Sequence, residues 1–154
     1  MNYNIEKLFK IDTQIENNIV YVIFNSTGSE YTELRMLDFI NSYKKILEEI
    51  EDNRIKKVSF VFNLTHMKIP TNFVLVDEFA AIFLPKMEVI KKKVIYSTIV
   101  TDSNLFYLFF SLLKKYYRRI KPLFLCKDDN ELQDIIQNPE NRSKYKNILN
   151  DIKK

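Results

Sequence analysis

The chain has 154 residues, a formal net charge of +4, 46% hydrophobic and 29% charged residues, and one glycine, one histidine and one cysteine. This length and balance predict a single globular domain, residues 1–154, rather than a disordered chain. One glycine excludes the GxGxxG and GxxxxGK(S/T) phosphate loops. A single cysteine, Cys126, allows no intrachain disulfide, and Cys126 with His66 cannot form a structural zinc site of the usual kind. We therefore expect no cofactor and no metal.

The first half of the chain predicts a strand hairpin, a helix and a third strand. Asn17-Asn18 lies between two strand-like runs and suits a tight turn. After Ser29, apolar residues recur at helical spacing. The helical stripe consists of Met36, Ile40, Tyr43, Leu47 and Ile50. The predicted elements are strands 8–15 and 19–25, a helix from about 30 to 51, and a strand 58–64.

The second half alternates helices and strands. Thr71 or Asn72 suits a helix N-cap, and Pro85 predicts a kink near Leu84 in the helix that follows. Asp102 or Ser103 suits the cap of the next helix. The predicted elements are a helix from about 71 to 87, strand 94–100, helix 104–119, strand 123–126, helix 128–136 and a terminal helix 145–152.

The predicted order ββαβαβαβα indicates an α/β fold with helices packed on one sheet. Repeated strand–helix–strand units imply parallel strands with right-handed crossovers. The N-terminal hairpin adds an antiparallel edge strand, so the sheet is mixed but mostly parallel. We expect a core at about residues 8–137, followed by a C-terminal helical extension, residues 138–154.

This order, and the strand end Asn63-Leu64-Thr65, resemble the STAS domain of anti-sigma-factor antagonists and its relative, the CRAL-TRIO lipid-binding fold. The resemblance covers roughly residues 8–137. STAS sequences often read Asp-Leu-Ser at this strand end and Asp-Ser before the next helix, where this chain has Thr71-Asn72. The family's serine at that helix start is phosphorylated by a partner kinase. Asn72 replaces it here, so the phosphorylation motif is not intact.

Polar residues that follow the parallel strands are expected to share one edge of the sheet. That edge is where ligands bind in open α/β sheets, and it is also where helix-capping residues gather. Both interpretations stay open, as does a pairing of His66 with a Cys126 thiolate. The candidate switch or ligand edge consists of Thr65, His66, Thr71, Asn72, Asp102 and Ser103, joined by Asp128 and Asp129.

The predicted helix 104–119 carries the two surface features. Aromatic residues off its main apolar stripe indicate a second burial surface, such as a homodimer contact. These candidate interface residues are Phe106, Tyr107 and Phe110. Cations near the helix end could bind nucleic acid or anionic lipid, or simply offset the helix dipole. This candidate basic patch consists of Lys114, Lys115, Arg118, Arg119 and Lys121.

The sequence thus predicts a non-catalytic STAS-like protein-interaction module, acting in assembly or regulation as a homo-oligomer. We do not expect an enzyme, because no nucleophile–base–acid set is visible in the sequence. The alternatives are binding of a lipid or small apolar ligand in a CRAL-TRIO-like pocket, and weak nucleic-acid binding. The polar start and an apolar run of only nine residues, 105–113, predict a cytoplasmic protein without a transmembrane segment, since a bilayer requires about 20 apolar residues.

Overall fold

The structure is a computed structural model that describes residues 7–30, 32–52, 54–67, 87–101 and 122–147. Within these ranges the chain forms an α/β fold with six strands, three α-helices and one 3₁₀ helix. The strands are β1 (Phe9–Glu16), β2 (Ile19–Ser26), β3 (Val58–Asn63), β4 (Val94–Val100), β5 (Leu123–Cys126) and β6 (Lys146–Asn147). The helices are α1 (Glu33–Asp52), α2 (Met87–Lys93), α3 (Asp129–Gln137) and the 3₁₀ helix η1 (Pro139–Lys144).

The strands form one sheet in the order β1-β2-β3-β4-β5-β6. β2, β3, β4 and β5 run parallel to one another, while β1 pairs antiparallel with β2 and β6 pairs antiparallel with β5 at the two ends of the sheet. The prediction of a mixed, mostly parallel sheet in an α/β fold is confirmed. β3 and β4 are buried on both faces, which matches their low polarity.

The N-terminal hairpin has the predicted two-residue turn. Glu16 pairs with Ile19, and Asn17 and Asn18 between them have φ angles of 53° and 64°. Two consecutive positive φ angles match the twist of a two-residue hairpin, and asparagine tolerates them better than most residues. The local sequence therefore fixes both the turn and the register of β1 against β2.

Helix α1 covers one face of the sheet, which we call the α1 face. All five residues of the predicted stripe are buried. Phe39 of the same helix lies 4.6 Å from the Phe9 ring and 5.4 Å from the Phe24 ring, centroid to centroid. Phe24 is fully buried, and burying a side chain of this size stabilises the fold by about 1.5–3 kcal/mol. The aromatic cluster thus ties β1 and β2 to the helix.

Helix α3 covers the opposite face, which we call the α3 face. Asp128 is the N-cap of this helix, and its Oδ1 accepts a hydrogen bond from the Glu131 backbone N–H at 3.0 Å. Beneath it, the hydroxyls of Tyr21 and Tyr96 lie 2.5 Å apart, and the Arg142 guanidinium lies 4.5 Å from the Tyr96 ring centroid. The buried apolar residues of α3 are Leu132, Ile135 and Ile136.

The C-terminal region differs from the predicted terminal helix. Tyr145 is extended, and the next two residues form β6, in which Lys146 pairs with Leu125 and Asn147 with Phe124. Tertiary partners decide this conformation, because the Tyr145 hydroxyl donates to Asp134 Oδ2 at 2.6 Å and holds the chain beside β5. The helix prediction is therefore wrong at residues 145–147, and residues 148–152 lie outside the described part.

Two predicted helices fall mainly outside the described residues. The segment predicted as helix 71–87, with its kink at Pro85, is described only from α2 onward, and the segment 104–119 is not described. In the described ranges, no helix has the length and apolar character needed to cross a membrane.

Candidate functional site at the carboxyl edge of the sheet

The carboxyl ends of β3, β4 and β5 lie side by side. Leu64 donates its backbone N–H to the Val100 carbonyl at 2.8 Å, and Thr101 donates to the Cys126 carbonyl at 2.9 Å. Chain segments that follow the parallel strands therefore meet at this edge, as the alternation of strands and helices predicts. Thr65 and His66 follow β3 and Asp128 follows β5; Thr71, Asn72, Asp102 and Ser103 lie outside the described residues.

Asn63, the last residue of β3, is the centre of the polar contacts at this edge. Its amide Nδ2 donates to Asp129 Oδ1 at 3.0 Å and to Asn25 Oδ1 at 3.1 Å. Its Oδ1 accepts from the Thr65 hydroxyl at 2.8 Å and from the Thr65 backbone N–H at 3.3 Å. Asn63 is only 7% exposed, so these bonds satisfy a buried amide that would otherwise be destabilising.

The same contacts continue across the sheet to β1. Asn25 of β2 donates from Nδ2 to Asp12 Oδ2 at 2.8 Å. The resulting polar chain joins four elements and uses the hydrogen-bonding groups of each amide on neighbouring side chains. We call Asp12, Asn25, Asn63, Thr65 and Asp129 the amide network. Its role in the described structure is to hold β1, β2, β3 and α3 in register.

His66 lies in a loop that packs against the loop after β2. Its backbone N–H donates to Ser26 Oγ at 3.0 Å. Gly28 in the facing loop has a φ of 84°, a left-handed conformation that favours glycine. The imidazole itself is exposed, and within the described ranges no carboxylate is hydrogen-bonded to it. His66 thus has no visible orienting group for general-base chemistry.

Cys126 does not provide a nucleophile. The residue is fully buried, and burial, with a smaller contribution from the charge of Glu131, raises the pKa of its thiol to about 12. A thiolate is the reactive form of cysteine, and only a negligible fraction exists near neutral pH at such a pKa. The described geometry therefore disfavours the Cys126–His66 pair.

The predicted interface on helix 104–119 and the basic patch lie outside the described residues. A second group of cations, Lys91, Lys92 and Lys93 in the last turn of α2, is described, and in it Lys93 has a structural contact. Its Nζ donates to the backbone carbonyl of Ile50 and, at 3.3 Å, to that of Glu51. Because these carbonyls lie in the last turn of α1, Lys93 satisfies acceptors that a helix end leaves open and opposes the negative end of the dipole.

Sequence reasoning missed one exposed apolar surface, on β1. Among the described large hydrophobic residues, Ile15 is 71% and Ile11 40% exposed, and both lie on this edge strand. Leu34 and Leu37 of α1 are the others, at 69% and 41%. The signal was available, because β1 was predicted at the sheet edge and its isoleucines are spaced at i and i+4.

Comparison of the chain with protein-family models, with curated proteins and with solved structures gave no match in any of the three. Across the described ranges, no group of three or more His, Cys, Asp or Glu residues is placed to hold a metal ion. Function must therefore be argued from the surfaces and contacts of this chain.

Proposed function

We propose that this chain is a non-catalytic, STAS-like protein-interaction module that acts in assembly or regulation and associates with a second copy of itself. The observation that carries the proposal is the edge strand β1. Among the described residues β1 pairs with β2 alone, and it presents Ile15 at 71% and Ile11 at 40% exposure. An edge strand with exposed apolar side chains is a template for pairing with another chain.

Energetics favour covering this strand. Fully burying an isoleucine side chain is worth about 1.5–3 kcal/mol relative to leaving it exposed. Ile11 and Ile15 lie on the α1 face, since they pair with Phe24 and Val20 of β2, which belong to the core on that side. A partner at the edge would therefore extend both the sheet and its apolar face.

The amide network supports a non-catalytic reading of the carboxyl edge. Asn63, Asn25 and Thr65 donate and accept among themselves and to Asp129 and Asp12. Groups that are held in this way stabilise the edge instead of facing a substrate. The buried thiol of Cys126 adds to this reading, and a free thiol is typical of a reducing, cytoplasmic setting.

The STAS-like assignment draws support from the consecutive parallel strands β2 to β5, whereas residue 63 departs from the family motif. The resemblance places an aspartate of the family at this strand end. Here Asn63 donates to the Asp129 carboxylate at 3.0 Å, and a second carboxylate at position 63 could not donate this bond. The departure from the family motif thus has a local physical reason.

Sedimentation velocity or size-exclusion chromatography with light scattering tests the proposal. An edge contact of eight residues is smaller than a standard interface of roughly 20–30 residues a side, so the full chain should be titrated from about 1 to about 200 µM. We expect a concentration-dependent dimer that Ile15→Lys weakens strongly. Leu34→Lys is the matched control, because Leu34 on α1 is 69% exposed, nearly the same as Ile15.

A chain that remains monomeric across this range would overturn the proposed self-association. A dimer that is insensitive to Ile15→Lys but lost in Leu34→Lys would move the interface away from β1 and contradict the observation on which the proposal depends. Circular dichroism spectra of both variants should match the parent, since each substitution is at an exposed position.

A further inference from the structure

We infer that the second copy binds through β1 itself, antiparallel, with Thr13 of both copies on the two-fold axis, so that two sheets join into one. This inference rests on the proposed self-association and specifies its partner surface and register. It follows from three features of β1: the direction of its backbone groups, the faces of its side chains, and the order of its charges.

The direction of the backbone groups follows from one hydrogen bond. Thr27 donates its N–H to the Leu8 carbonyl at 3.0 Å, which continues the β1–β2 ladder beyond the pair of Phe9 with Ser26. In an antiparallel ladder, inward-facing and outward-facing residues alternate. Even-numbered residues of β1 therefore direct their N–H and C=O groups toward β2. The odd-numbered residues, Phe9, Ile11, Thr13 and Ile15, direct theirs toward the outer edge of the sheet, where no described strand pairs with β1.

A symmetric partner must therefore pair odd residues with odd residues. When Thr13 lies on the two-fold axis, each β1 residue faces a residue of the second copy, and the two residue numbers add up to 26. Ile11 then faces Ile15 of the second copy on the α1 face, where both are exposed. On the α3 face Lys10 faces Glu16 and Asp12 faces Gln14, so a cation meets an anion and a carboxylate meets an amide.

Sliding the second strand by two residues in either direction loses this match. One slide places Asp12 opposite Asp12 on the axis, and the other places Asp12 opposite Glu16. Like charges that face each other directly across strands are destabilising. A slide of four residues shortens the overlap in either direction. One such slide pairs Lys10 with Asp12 but leaves Ile15 without an apolar partner. The other places Ile15 opposite Ile15 but leaves Ile11 without an apolar partner and loses the Lys10–Glu16 pair. Charge and apolar pairing thus select the Thr13-centred register.

A charge-swap mixing experiment tests this register. Lys10→Glu places two anions opposite each other, and Glu16→Lys places two cations opposite each other, so each variant should dimerise at least about tenfold more weakly than the parent. A mixture of the two variants restores two opposite-charge pairs in the heterodimer. We expect the mixture to dimerise as well as the parent at low salt, and less well as salt rises.

Cysteine cross-linking provides a measurement that does not depend on weakening the dimer. Opposed residues in a hydrogen-bonded antiparallel pair have Cα atoms about 5.5 Å apart, which a disulfide spans. We expect Thr13→Cys to form a covalent dimer on mild oxidation. Ile15→Cys alone should not, because its two copies would lie about 14 Å apart along the strands. A mixture of Ile15→Cys with Ile11→Cys should cross-link. Cys126 is fully buried and supplies the background control.

The self-association and the β1 register can be refuted separately. A monomer at all concentrations, with no cross-linked species, overturns the self-association as well as this inference. A stable dimer in which Thr13→Cys does not cross-link and the charge-swap mixture does not recover leaves the self-association standing and overturns the β1 register. Cross-linking of Ile15→Cys with itself would also contradict the Thr13-centred register.

Discussion

Replacing Asn63 by aspartate is the sharpest perturbation of the amide network. The substitution keeps the shape of the side chain but removes its two donated hydrogen bonds, at 3.0 Å to Asp129 Oδ1 and 3.1 Å to Asn25 Oδ1. It also places a carboxylate beside the carboxylate of Asp129. Asn63→Asp should therefore destabilise the fold, and the loss should depend on pH.

The magnitude follows from these contacts. A hydrogen bond to a charged acceptor contributes about 1.5–3 kcal/mol and a neutral one about 0.5–1.5 kcal/mol. Repulsion between charges about 4 Å apart adds at least about 1 kcal/mol, which is the value at the dielectric constant of water; Asp129 is exposed, whereas position 63 is buried. The expected loss in free energy of unfolding at pH 7 is about 3–5.5 kcal/mol. That loss lowers the Tm by about 9–17 °C.

The sign of the pH dependence follows from the introduced carboxyl group. The neighbouring carboxylate raises its pKa in the folded state above the unfolded value of about 3.9. The folded variant therefore binds a proton more tightly than the unfolded chain, and its stability relative to the parent falls as pH rises through the folded pKa. The loss should be largest at pH 7 and shrink toward pH 4.

Urea unfolding followed by circular dichroism, at several values between about pH 4.5 and 7.5, measures this effect. Asn63→Ala is the uncharged control: it removes the same two donated bonds, and also the two that Asn63 Oδ1 accepts from Thr65, without adding a charge. Its loss, about 2–4 kcal/mol, should be independent of pH in this range. The reasoning is refuted if both variants lie within about 0.5 kcal/mol of the parent, or if the loss in Asn63→Asp does not decrease on acidification.

Four further outcomes are expected. Tyr21→Phe or Tyr96→Phe should each lower the free energy of unfolding by about 1–3 kcal/mol, because the remaining hydroxyl of the 2.5 Å pair loses its partner. In urea unfolding, the loss in free energy for the double variant should be smaller than the sum of the two single losses. Burial raises the pKa of both phenols, so ultraviolet titration should show neither ionising before the chain unfolds. The Cys126 thiol should be unreactive toward a disulfide reagent at pH 8 and reactive in urea; reaction of the folded chain would contradict its burial. Asp128→Ala should remove the N-cap bond of α3 and destabilise the fold by about 1 kcal/mol, whereas Asp128→Asn should retain most of that stability.

Local patterns predicted the elements whose conformation depends on neighbours in sequence. The strands Val94–Val100 and Leu123–Cys126 have the predicted boundaries. The Asn17-Asn18 turn and the buried stripe of α1 also follow from short-range rules, namely the positive φ that asparagine tolerates and the 3.6-residue period of a helix. Apolar periodicity carries this information because each residue's burial repeats with the geometry of its own element.

The tertiary structure decided what depends on residues distant in sequence. Asn63 and Asp129 are separated by 66 residues, and Tyr21 and Tyr96 by 75; no local pattern predicts that these side chains meet. The strand Lys146–Asn147 was missed because its conformation depends on β5 and on the bond from Tyr145 to Asp134. The sequence alone placed β1 at the sheet edge. Only the fold showed that its isoleucines stay exposed there, because exposure depends on which elements pack beside the strand.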